Sequence, residues 1–222
     1  MNYRCETNLQ EIEKYLRGAG VVAFDFETAP LPAYRDDNKA ALDAHRSHIV
    51  GVSLSVAEGS AVYVPLRHLR GPNTDPEQII PFLRNALWMN PAVVKIAHNL
   101  SFEAMFLYAL GVVVQPPCYD TIAAAQMTLK TTFEFRALSD SGLKKLVPEL
   151  LGDELPTFED VTEGRFFDEL ASDDPDTVRY ACADSDYALR LYRRFNEWFD
   201  ATFPGTAGSW RISNRPRRFT AA

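Results

Sequence analysis

Residues 21–29, VVAFDFETA, set two carboxylates one residue apart inside a run that is otherwise apolar, β-branched or aromatic. The run reads as a strand over 21–28. Side chains alternate faces along a strand, so Asp25 and Glu27 leave from one side and Phe24 and Phe26 from the other. Two acids side by side near the end of a buried strand repel each other and lose hydration, a cost tolerated when a cation sits between them. A divalent metal meets that need. The same D-x-E pattern also fits an edge strand with two solvated acids, so the rest of the chain has to decide.

The 222 residues, 46% of them hydrophobic, can bury one substantial core. A formal charge of −7 argues against a protein that coats nucleic acid with a broad basic surface. It leaves room for a nucleic-acid enzyme, because acids gathered at a metal site count against net charge while the ions reverse it locally. The three cysteines, Cys5, Cys118 and Cys182, form no C-x-x-C pair, which supports neither a disulfide framework nor a structural zinc site. No stretch approaches the roughly 18 apolar residues of a membrane span, and MNYRCETN carries no signal-peptide pattern. A soluble, cytoplasmic protein with no membrane partner is expected. Residues 205–222, with Trp210, Arg211, Arg215, Arg217, Arg218 and Phe219, read as a basic tail or linker after a domain over 1–204.

Thr7 and Gln10 form a capping-box pattern ahead of a helix over 8–17. After the opening strand, the proline-interrupted stretch 29–47 reads as a long loop suited to substrate contacts. HIVGVSLSVA and SAVYVPL, separated by Glu58 and Gly59, read as a hairpin. A helix capped by Asp75 follows, in which Pro81 marks either a kink or a late start. AVVKIA, 92–97, is expected to be a buried strand, Ser101 to cap a helix ending at Gly111, and VVV, 112–114, to be a further strand. Asp120 caps the next helix, SGLKKLVPELLG gives another, and the last begins at Asp174 and Pro175. The pattern predicts an α/β fold, helices packed on a mixed sheet.

The closing helix carries the second informative pair, in RYACADSDYALRLY. Tyr180 and Asp184 are four residues apart and therefore share a helix face, whereas Asp186 is turned about 200° away and is expected in solvent. The third pair lies in NLSFE, where Asn99 ends a strand and Glu103 begins a helix. Open α/β sheets place their sites at such junctions. Each signal has a plain structural alternative: a solvated Asp beside a surface Tyr, or a first-turn acid satisfying a helix dipole.

Taken in order, VVAFDFET, KIAHNLSFEAMFL, YDTIAAAQM, GLKKLVPELLG and RYACADSDYALRLY resemble the motifs of the DEDD superfamily of 3′→5′ exonucleases over about 19–200. The tyrosine subtype (DEDDy, DnaQ-like) fits, because the histidine subtype needs His where Arg179 stands. The likeness is nearest to the proofreading domain of family A DNA polymerases, including phage-type forms. It implies a ribonuclease H-like fold, a five-stranded mixed sheet flanked by helices. It also implies removal of mononucleotides from single-stranded DNA 3′ ends, with two Mg²⁺ or Mn²⁺ ions.

By the same resemblance, Asp25 bridges the two ions, Glu27 and Asp184 complete the site of the ion that activates water, and Tyr180 orients that water. Glu103 stands where the family usually has Asp and is associated with the second ion. Thr28, Asn99 and Phe102 lie near the substrate strand, and His98 is read as structural. Hard carboxylate donors without a Cys or His cluster fit Mg²⁺ or Mn²⁺ better than zinc. Tyrosine, with an ordinary pKa near 10, suits positioning better than general-base work. A polymerase domain or subunit is the implied partner. A ribonuclease D-like exoribonuclease and an inactive nucleic-acid-binding or docking module remain as alternatives.

Overall fold

The computed structural model describes residues 1–37, 39–131 and 141–203. Six strands form one mixed sheet: β1 (Asn2–Cys5), β2 (Val21–Pro30), β3 (Ser47–Ala57), β4 (Ser60–Pro65), β5 (Val94–Ala97) and β6 (Cys118–Asp120), in the order β1-β4-β3-β2-β5-β6. β2, β3 and β4 pair antiparallel, while β1 on β4, β5 on β2 and β6 on β5 are parallel. The helices are α1 (Leu9–Leu16), α2 (Pro76–Leu83), α3 (Leu100–Ala109), α4 (Thr121–Thr131), α5 (Leu143–Leu151), α6 (Phe158–Thr162) and α7 (Pro175–Thr202). None among the described residues is long and apolar enough to cross a membrane.

The β2 alternation divides the core. Phe24 and Phe26 face one way and pair across the ladder with Leu54 and Val52. They pack with Trp88 and the inner faces of α1, α2 and α3 in the largest apolar cluster. The opposite face is lined by small side chains: Ala23 opposite Ser55, Ser53 opposite Asp25, and Gly51 opposite Glu27. Ala181, Cys182 and Ala188 of α7 pack on Ala61 and Ala23 of that face. With so little side-chain volume between them, α7 lies close over β2 and β3. Asp174 starts α7 by accepting from the amides of Asp176 and Thr177 at 3.0 and 3.3 Å, with Pro175 in its first turn.

The ribonuclease H-like α/β expectation holds, with six strands in place of five. β1 is the added one: four residues recruited by β4 at the sheet edge, too short for their own periodicity to announce. Residues 112–114 are not a strand; Val112 is buried in the core and the ladder is supplied by β6 instead. Asn8, not Thr7, caps α1 through the Gln10 amide. Pro81 sits inside α2, which starts at Pro76 and passes into a π turn over Arg84–Trp88. Asn99, in the left-handed conformation (φ 78°), precedes α3 where Ser101 was expected to cap it. The basic tail read at 205–222 lies outside the described residues.

Asp186 is a further correction, since it is fully buried rather than solvated. Its carboxylate accepts from the Tyr3 hydroxyl at 2.6 Å, the Gly59 amide at 2.9 Å and Arg190 at 2.8 Å. β1 covers the side of α7 that would otherwise meet water, so the unforeseen strand and the buried acid are one fact. Asp186→Ala is expected to cost about 3 kcal/mol by taking the acceptor from the Tyr3 hydroxyl and the Gly59 amide and leaving Arg190 with Asp153 alone. Urea unfolding measures this, and a loss below 0.5 kcal/mol, within the ordinary range of a surface substitution, would contradict it.

Candidate active site

The β2–β3 register shifts between Glu27 and Thr28, so Glu27 faces Gly51 while Thr28 faces Ile49. Asp25 and Glu27 leave β2 just before this bulge, toward α7. There they meet Asp184, and one carboxylate oxygen from each of the three lies within 4.8 Å of the other two. Tyr180, one turn before Asp184, is buried at 7% exposure, with its ring centroid 5.8 Å from Phe167 and 6.2 Å from Phe158. The helical i, i+4 spacing thus delivers phenol and carboxylate to one place.

Glu103 comes from the other side. β5 runs parallel to β2, with Ala23 beside Ile96, so its end carries the chain to the level of Asp25. Asp120 then fixes the entry of α3, accepting from the amides of Asn99 and Leu100 at 3.1 and 3.0 Å, while also accepting from Ile122 at the start of α4. Glu103 points inward at 1% exposure. It lies outside the tight trio, yet the Asp25 charge reaches it.

Burial is the first cause that holds all four carboxyls above their ordinary range. For Asp25 the Asp184 charge adds to it, for Glu27 the charges of Asp25 and Asp184, and for Glu103 that of Asp25. Lys144 opposes the rise at Asp184, its ammonium 2.6 Å from Oδ1. Glu27 Oε1 and Glu103 Oε2 are buried with no hydrogen-bond partner. Buried carboxylate oxygens left without a partner are hard donors that a divalent cation would satisfy. The residues present fit such an ion. Burial, then the nearby carboxylates, drive the Tyr180 phenol far above its usual range, so it remains a neutral donor.

The remaining sequence candidates sit around this cluster. Thr28 donates its hydroxyl to the Ala41 carbonyl at 2.8 Å, tying the loop 31–46 to the end of β2. Asn99 is exposed beside the entrance to α3, and Phe102 packs its ring 4.9 Å from Phe106. His98 pairs with the Thr121 hydroxyl at 2.8 Å, and burial lowers its pKa to about 4, so it is a neutral packing group.

Two further features were not singled out in the sequence. Lys144 was one of two adjacent lysines; Leu143, Leu146 and Val147 form the apolar face of α5, which Lys144 borders and Lys145 opposes. Tyr63 lies buried over Gly51 and hydrogen-bonds His68 Nε2 at 2.6 Å, while His68 Nδ1 donates to the Leu170 carbonyl at 2.9 Å. A Cβ at Gly51 would stand 2.2 Å from the Tyr63 hydroxyl, so that glycine is what admits the ring beside Glu27.

A family model described as 3′-5′ exonuclease matches residues 2–199. DNA polymerase I of Chloroflexus aurantiacus is 28% identical over 202 residues, which cover 89% of this chain and 19% of the polymerase. The chain thus spans about a fifth of the length of such relatives. Among solved structures, Brucella melitensis NrnC with bound Mg²⁺ aligns with a TM-score of 0.62 at 22% identity, over 91% of this chain and 84% of that one. Escherichia coli RNase D aligns with a TM-score of 0.59 at 19% identity, over 90% of this chain and 48% of that one. These two share the fold.

A carboxyl held above its unfolded value stabilises the fold while protonated, and that contribution is lost as pH rises through the raised value. The metal-free protein is therefore expected to lose stability from about pH 4 toward neutrality. Asp25→Asn removes one of the repelling charges. Its metal-free melting midpoint should rise by roughly 2–5 °C at pH 8 and stay unchanged at pH 4; a lower midpoint at pH 8 would contradict the repulsion argument.

Proposed function

Because the chain belongs to the 3′–5′ exonuclease family, whose model spans residues 2–199, we propose that it removes mononucleotides from single-stranded DNA 3′ ends with two divalent cations. The observation that carries this reading is the trio of carboxylate oxygens from Asp25, Glu27 and Asp184 within 4.8 Å of one another. Asp25, a member of the trio whose charge also reaches Glu103, is suited to be shared between two ions. Glu27 and Asp184 would help hold one ion and Glu103 the other. Mg²⁺ or Mn²⁺ held there would stabilise the attacking and leaving oxygens of an in-line displacement.

The chain's own groups do the positioning. Tyr180, kept neutral, donates a hydrogen bond that orients the attacking water, while Asp184 on the same helix face fixes the distance. Thr28, at the bulge, and Asn99, at the open end of the sheet, flank the path of the terminal nucleotide. Phe102 supports that side through its ring pair with Phe106. The catalytic unit is taken as residues 1–204, followed by a basic tail or linker. The polymerase relatives support a proofreading-like role beside a polymerase domain or subunit.

A second reading, exoribonuclease action, draws on the fold shared with RNase D and with NrnC, which has been solved bound to pGG. Digestion of end-labelled single-stranded DNA and RNA in Mg²⁺ and in Mn²⁺ tests both. The wild type should shorten DNA from the 3′ end, Asp25→Ala should leave it intact, and Tyr180→Phe should slow it roughly 10²-fold. Faster cutting of RNA selects the second reading. Equal cutting by wild type and Asp25→Ala would remove the carboxylate cluster from the reaction.

A further inference from the structure

Among the described residues, Lys144 is the one cation paired with the carboxylate cluster. Its ammonium lies 2.6 Å from Asp184 Oδ1 and 4.6 Å from the centroid of the Tyr180 ring. The helix beneath it is fixed, because Leu143, Leu146 and Val147 of α5 pack with Ala183, Tyr187 and Leu191 of α7. The side chain itself is not locked in, since it is 34% exposed and its stem has a path to water. One ammonium faces the three acids of the trio, and the stranded Glu27 oxygen marks where its charge falls short.

We propose that Lys144 is a resident counter-ion that holds Asp184 in the metal-free protein and competes with divalent metal for it, swinging toward solvent when metal binds. The inference rests on the assignment of Asp25, Glu27 and Asp184 as metal ligands. It makes Lys144 a positioning residue with two opposed effects. The ammonium offsets repulsion in the metal-free fold, and the same charge weakens the binding of a dication, which must displace it from a shared carboxylate. Damage to packing alone would instead weaken both the fold and the metal site.

Calorimetric titration with Mn²⁺ at pH 8, paired with metal-free melting curves, tests this on wild type, Lys144→Met, Lys144→Gln, Lys144→Arg and Asp25→Ala. Lys144→Met should bind Mn²⁺ on the order of tenfold more tightly while its metal-free midpoint falls, and Lys144→Gln should move both in the same directions if the Met variant does not fold. Lys144→Arg, which keeps the charge, should retain wild-type affinity. Unchanged or weaker Mn²⁺ binding in the folded neutral variants overturns the inference alone, provided the wild type binds and Asp25→Ala does not. Absence of Mn²⁺ binding by the wild type overturns the ligand assignment and the inference with it.

Discussion

Asp25, Glu27 and Asp184 bring like charges within 4.8 Å of one another, with Glu27 buried and the other two half-buried, and the scaffold has to hold them there. Nothing in the trio favours its own assembly. The opposing work is done by packing far larger than the cluster: the aromatic and aliphatic layer under β2 on one face, and the buried stripe of α7 on the other. Burying apolar side chains at about 1.5–3 kcal/mol each readily outweighs a few kcal/mol of electrostatic cost. The site is a local debt carried by a stable whole.

Each acid is positioned by a different device, and each device is also structural. Strand alternation aims Asp25 and Glu27 together, and the bulge after Glu27 ends that alternation where the loop begins. A single helical turn sets Tyr180 and Asp184. Asp120, by capping the entrances of both α3 and α4, fixes the helix that delivers Glu103. Tyr63 and His68 brace the far side of Glu27 through a hydrogen-bonded chain ending on the Leu170 carbonyl.

The parts that were legible in the sequence share one property: they are short-range and periodic. Asp25 with Glu27, and Tyr180 with Asp184, are facts of strand and helix geometry, and the order of the motifs carried the family. What was not legible depended on partners distant in the chain. β1 forms a strand because β4 offers an edge, and Asp186 is buried because β1 is there. Residues 112–114 have a strand's composition, yet only Val112 is buried and Val113 is exposed, while the less apolar Cys118–Asp120 takes the ladder position. Lys144 was hidden because the helical pattern of α5 sets it apart from Lys145 but does not say which element that face meets.

The layer of alanine, serine and glycine between β2, β3 and α7 has a consequence for how this protein can change. Added bulk in most cores, when it fits, fills voids and raises stability. Here a larger side chain at Ala23, Ser53 or Ala181 would press on the contact between the long helix and the sheet, and one at Gly51 would displace the Tyr63 ring beside Glu27. The fold could survive such drift while the chemistry could not. Room for added packing without disturbing the site lies instead on the Phe24 and Trp88 side of the sheet.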